Sequence, residues 1–142
     1  MFELAKKNLG ADRPLVVGDR LDTDIAGGVA AGMDTLHVLT GVSGPHALID
    51  APAEQRPTFI AQDMSVLLDA ELDPDTLRPS AQGGFTAVRE GGAIVLDGGD
   101  DSSTPLQALR TVLSVAWADG GERGDVVKPA SDAARAGTQA WW

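Results

Sequence analysis

The 142-residue chain contains no cysteine, which excludes disulfide frameworks and thiolate metal sites and leaves the redox compartment open. Cations are scarce, with 11 Lys and Arg against 21 Asp and Glu for a net charge of −10. Without a basic stripe, nucleic acid and anionic membranes are poor partners. No apolar run approaches the roughly 20 residues of a membrane span. The opening Met1-Phe2-Glu3-Leu4-Ala5-Lys6-Lys7 lacks the order of a signal peptide. What is present suffices for a core: 43% apolar residues, in a length that suits about one domain. A soluble, cytoplasmic protein is expected, with its oligomeric state left open.

The first half alternates helical and strand signals. Phe2, Ala5 and Leu9 share one helical face, and Gly10 fits just past its end. Pro14-Leu15-Val16-Val17 is a short continuous apolar run, as expected of a strand covered on both faces. It stops at Gly18-Asp19-Arg20-Leu21-Asp22-Thr23-Asp24, and a helix is predicted over 25–31, with Asp22 or Thr23 as its N-cap. Gly27 and Gly28 weaken that helix intrinsically, so close packing against a neighbour is the expected reason for them. Residues 35–39 and 57–61 read as further strands, 45–49 as one or two helical turns, and 65–72 as a third helix. Strands separated by helices of this size imply βαβ units and a parallel sheet. Three strands make a thin one, so residues 1–72 read as part of a domain.

Residues 73–80 suit a linker. Beyond them, Phe85-Thr86-Ala87-Val88-Arg89 and Ala93-Ile94-Val95-Leu96 flank Glu90-Gly91-Gly92, a hairpin signal. Residues 104–118 read as an amphipathic helix, giving a small α+β tail over 81–118. From Asp119 onward the chain is Gly-, Ala- and charge-rich, and 119–142 is expected to be frayed except around Trp141 and Trp142.

The informative constellation is the run after the first strand. It places acids at the carboxyl end of a buried parallel strand, where open α/β sheets hold ligands. Gly18 lets the backbone approach a ligand, Asp19 leaves the strand tip, and Asp24 returns from the first turn of the next helix. Such hard oxygens suit Mg²⁺, which takes one or two carboxylates and keeps waters for a phosphate to displace. Asp22 or Thr23 also reads as only a helix cap, which is the favoured reading for Asp22 alone. The spacing of Asp19, Asp22 and Asp24 does not fit an EF-hand, and Gly27-Gly28-Val29-Ala30-Ala31-Gly32 lacks the Lys-Ser/Thr of a P-loop.

Leu15-Val16-Val17-Gly18-Asp19-Arg20-Leu21-Asp22-Thr23-Asp24-Ile25, followed by Gly32-Met33-Asp34-Thr35 and Leu39-Thr40-Gly41-Val42-Ser43, resembles the fourth motif of haloacid-dehalogenase-like (HAD) phosphatases. More narrowly it resembles their class IIA branch, which includes phosphoglycolate, pyridoxal phosphate and glycerol-3-phosphate phosphatases. Residues 1–72 are similar to the closing segment of that catalytic domain, a partial Rossmann-like parallel sheet with helices. Residues 73–118 are similar to the small acetyltransferase-like (GNAT-like) tail of actinobacterial members. The resemblance implies Asp19 as a direct Mg²⁺ ligand and Asp24 as a residue that holds a metal-bound water or helps position the ion. It also implies a small phosphate ester as substrate, hydrolysed through an aspartyl-phosphate intermediate.

Other parts of the family pattern have no counterpart here. The nucleophile segment Asp-x-Asp-Gly does not occur, and neither does a clear second-motif Ser or Thr. The third-motif Lys usually precedes a Pro; Lys6 and Lys7 lie within a helical pattern, and Lys128-Pro129 lies in the tail. Phosphoryl transfer to an aspartate needs nucleophile, cations and proton shuttle together. No catalytic residue is therefore assigned on this chain, which is expected to be inactive alone. A longer native polypeptide, with an N-terminal HAD core and cap upstream, is the expected partner of this segment. His37 reads as a hydrogen-bonded core histidine, His46 as a loop residue without an assigned role, and Arg20 as a partner of Asp22 or Asp24. The competing class is a non-catalytic binding or regulatory module that keeps the fold without the chemistry. An acyl-CoA-using transferase ranks last, for want of a pyrophosphate-binding loop.

Overall fold

A computed structural model describes residues 15–118 and 125–142. The helix expected over residues 2–9 therefore lies outside the described residues. Contacts divide the chain into two compact units. One comprises residues up to Gly44 with Ala51–Arg78, and the other comprises Pro45–Asp50 with Pro79–Trp142.

The first unit is a parallel three-stranded sheet of β1 (Leu15–Gly18), β2 (Asp34–Val38) and β3 (Phe59–Ala61), in that spatial order. Leu15 is in register with Asp34 and Gly18 with His37, while Leu36 pairs with Phe59. The central strand β2 is covered on both faces. Its alternation sends Leu36 and Val38 into a core with Leu15, Phe59, Ala61, Leu67 and Leu77, while Thr35 and His37 point to the other face. Thr35 and Thr58 exchange hydrogen bonds, each hydroxyl accepting from the other's backbone N–H at 3.0 Å.

Between β1 and β2 the chain forms a π-helical turn over Leu21–Ile25 that runs into α1 (Ala26–Ala30). Neither Asp22 nor Thr23 caps this helix, contrary to expectation; both sit inside the π turn, whose N-cap is Arg20 without a side-chain cap. Asp22 instead accepts from Arg20 Nε at 3.2 Å and Nη2 at 3.0 Å. Gly28 is needed for packing, because a Cβ there would lie 2.5 Å from Thr35 Cγ2 and 3.0 Å from Val16 Cγ2. Gly27 faces open space.

The helix expected over 65–72 is only a 3₁₀ segment, Met64–Leu68. Asp63 caps it by accepting from Ser65 N–H, and Asp69 accepts from Glu71 N–H, closing the next turn before an α-helix can propagate. The expected linker also contains structure. Pro74–Leu77 is a 3₁₀ turn whose Leu77 is buried in the first core, and Arg78 stacks 4.7 Å from the Phe59 ring centre.

The second unit begins with α2 (Pro45–Ile49) and continues with β4 (Phe85–Glu90) and β5 (Ala93–Gly98), an antiparallel hairpin turning at Gly91-Gly92. Helix α3 (Pro105–Ala116) follows. Thr104 and Gln107 form a capping box at its start, and Leu109, Val112 and Leu113 are fully buried. The expectation of a frayed end is corrected for 125–142. This stretch holds β6 (Val126–Pro129), parallel to β5, and α4 (Asp132–Gln139), capped by Ser131. The composition concealed α4 because its buried contacts are made by Ala134 and Gly137, which carry little apolar surface. Trp141 is buried and donates Nε1–H to the Pro105 carbonyl, and its ring meets His46 edge-on at 5.9 Å. Trp117 donates Nε1–H to the Leu48 carbonyl. His46 thus lies in α2, among residues of the second unit.

Candidate functional site

The carboxyl end of β1 carries the candidate site. Gly18 ends the strand beside His37 of β2, and the chain then leaves the sheet through Asp19 and Arg20 into the π turn. Asp24 folds back over Gly18. A Cβ on Gly18 would stand 2.6 Å from Asp24 Oδ2 and would also overlap Asp24 Cβ. The absence of a side chain at Gly18 is what makes room for the Asp24 carboxylate. Asp19 is accommodated in the same way by Gly41, where a Cβ would stand 2.7 Å from Asp19 Cβ and overlap its carboxylate.

The three acids of the loop differ in their partners. Asp22 is occupied by Arg20, an exposed pair at 3.0 Å. Among the described residues, no hydrogen bond or ion pair engages the Asp19 or Asp24 carboxylate. Both still act on the local field. The Arg20 guanidinium is held above its ordinary value first by its hydrogen bond to Asp22 and then by that residue's charge, with Asp19 and Asp24 adding to the effect.

The loop after β2 closes over this end of β1 through Ser43. Ser43 N–H donates to the Asp19 carbonyl at 3.3 Å, and Ser43 Oγ accepts from Leu21 N–H at 3.2 Å. Its carbonyl accepts from His37 Nε2 at 2.8 Å. Because a carbonyl can only accept, the proton sits on Nε2, and Nδ1 is a buried lone pair without a partner. Burial lowers the His37 pKa, opposed by the Ser43 hydrogen bond and the charge of Asp19. His37 is therefore the hydrogen-bonded core histidine that its place in a strand suggested.

The donor set is hard and anionic: two carboxylates without other partners at one strand end, cradled by two glycines. That fits an ion that takes one or two protein carboxylates and fills its other positions with water or phosphate oxygens. Among the described residues no group of three or more His, Asp or Glu could hold a metal on its own. The sequence pattern singles out Asp19 and Asp24 as candidates but assigns no role to Gly41 or Ser43. Their signal was the Thr40-Gly41-Val42-Ser43 string within the resemblance itself.

Residues 1–67 match the family model described as HAD-hydrolase-like. Over that stretch the chain is similar to HAD-type phosphatases, and its α/β fold is shared with a solved one. The D-glycerol 3-phosphate phosphatase of Mycobacterium tuberculosis is 36% identical over 137 residues, covering 89% of this chain and 38% of that protein. An acid sugar phosphatase of Staphylococcus aureus is 60% identical over 68 residues, 46% of this chain and 25% of its own length. The crystal structure of the mycobacterial glycerol phosphate phosphatase in complex with magnesium superposes with a TM-score of 0.76 at 37% identity. That likeness covers 89% of this chain and 37% of that one. The chain thus spans less than two-fifths of the relatives it matches.

Proposed function

We propose that this chain is the cation-binding, C-terminal portion of a Mg²⁺-dependent HAD-type phosphatase that hydrolyses small phosphate monoesters. The observation that carries the reading is the pair of unengaged carboxylates, Asp19 and Asp24, each cradled by a glycine at the carboxyl end of β1. Its relatives are phosphatases of small esters, and the mycobacterial neighbour was solved with magnesium. Asp19 would ligate the ion directly, and Asp24 would hold a water bound to it. Bound Mg²⁺ would neutralise charge on the transferring phosphoryl group. The chain's own residues position the carboxylates, while Asp22 and Arg20 neutralise each other beside them.

The nucleophile, its neighbouring acid/base and the ester-selecting cap belong to a complementing N-terminal portion. β1 pairs only with β2 among the described residues, which leaves an apolar strand edge suited to that portion. The second unit, with its hairpin, helix and parallel strand, is read as a GNAT-like tail. Its open depression of about 380 Å³ is lined by Asp100, Asp101 and Asp132. Asp100 is held below the ordinary carboxylate range, chiefly by Ser102. Anionic walls of this kind oppose a pyrophosphate, which disfavours acyl-CoA as a ligand.

The test is phosphate release from p-nitrophenyl phosphate and glycerol 3-phosphate with Mg²⁺. The proteins compared are the chain alone and the chain joined to the preceding portion of the mycobacterial enzyme. Turnover is expected only from the joined protein and is expected to be lost in its Asp19→Asn variant. Turnover by the chain alone, abolished by Asp19→Asn, would mean that another carboxylate here serves as nucleophile. Full activity of the joined Asp19→Asn protein would overturn the role given to Asp19.

A further inference from the structure

We propose that the Gly41–Ser43 loop is a positioning device that confines the Asp19 carboxylate to one orientation, with buried His37 as its anchor. The proposal rests on the reading of Asp19 as a cation ligand only for its functional consequence; the confinement itself is a property of the folded chain.

Three observations converge. First, Gly41 has no backbone reason to be glycine, because its φ lies outside the left-handed region where six other glycines of the described residues sit. The three nearest atoms to a Cβ placed there are Oδ2, Cγ and Cβ of Asp19. The missing side chain is thus shaped to Asp19. Second, Ser43 uses two of its polar groups on the segment around Asp19, its N–H donating to the Asp19 carbonyl and its Oγ accepting from Leu21 N–H, while its carbonyl accepts from His37 Nε2 in β2. The backbone is held at Asp19 and two residues beyond it. Third, apolar burial does not set the loop's position, since Val42 between these residues is 76% exposed. Hydrogen bonding to His37, which is fully buried in the central strand, does so instead. A ligand held this way meets a cation already oriented.

The experiment uses the full chain in solution and reads Asp19 with and without a cation. Without a cation, three-bond couplings about the Asp19 Cα–Cβ bond are expected to report one staggered rotamer. Gly41→Ala is expected to move Asp19 to another rotamer or to average it. Ser43→Ala should average it, whereas Ser43→Thr, which keeps the hydroxyl, should retain the original couplings. With Mn²⁺ as probe, Gly41→Ala is expected to raise the concentration that half-broadens the Asp19 amide resonance by about tenfold. Ser43→Ala should give a smaller rise, and Gly41→Ala should add none in an Asp19→Asn background. Unchanged couplings in both Gly41→Ala and Ser43→Ala would overturn the proposal, as would altered couplings with unchanged Mn²⁺ response. A chain whose couplings behave as expected but which binds no Mn²⁺ would support the confinement and defeat the cation-site reading alone.

Discussion

At the scale of single residues, the site depends on what is left out as much as on what is present. Gly18 and Gly41 leave the volumes that the Asp24 and Asp19 side chains occupy. His37 shows the cost of building such a site around a buried ring. Desolvation holds its pKa below the ordinary value of about 6.5. The unfolded chain therefore takes up the proton more readily than the folded one. Stability is complete above about pH 6.5 and falls as the pH drops through that value toward the folded pKa. The urea midpoint is accordingly expected to be lower at about pH 5.5 than at about pH 7.5, with a smaller drop in His37→Gln. Equal drops in both proteins would remove His37 from this account.

At the scale of elements, the π turn and α1 bring Asp24 back to β1, and adjacent glycines in α1 do different work. Gly28 lets the helix approach Thr35 and Val16 closely, whereas nothing lies within 4 Å of a Cβ on Gly27. Gly28→Ala is expected to destabilise the chain by roughly 1–3 kcal/mol through overpacking. Gly27→Ala should instead stabilise it by about 0.4–1 kcal/mol by restricting the unfolded chain. Chemical denaturation of the two variants checks both signs; destabilisation of similar size in both would mean that α1 does not pack as described. The strand–loop–helix unit was legible because its apolar run and acidic loop are both strong local signals. The 3₁₀ segment at Met64–Leu68 was not, since its helical spacing is interrupted by Asx turns at Asp63 and Asp69. Nor were β6 and α4, whose small or half-exposed residues gain order from pairing with β5 and packing on α3.

At the scale of the whole molecule, the sequence pointed to the parallel sheet and to a break within residues 73–80, near the observed boundary at Arg78 and Pro79, but not to the place of residues 45–50. Residues 45–50 leave the first unit's stretch of sequence and belong to the second, through contacts such as Trp117 to Leu48 that join distant positions. No local pattern encodes a partnership of that range. The acidic charge, net −10, also offers cations competing places, among them Asp97, Asp100 and Asp101 in the second unit. The measurement that tests the central claim most directly is therefore a site-resolved Mn²⁺ titration of the chain by NMR. The account predicts broadening centred on residues 18–25, reversed by excess Mg²⁺ and lost in Asp19→Asn. Broadening centred on the Asp97–Asp101 turn, unchanged by Asp19→Asn, would contradict it.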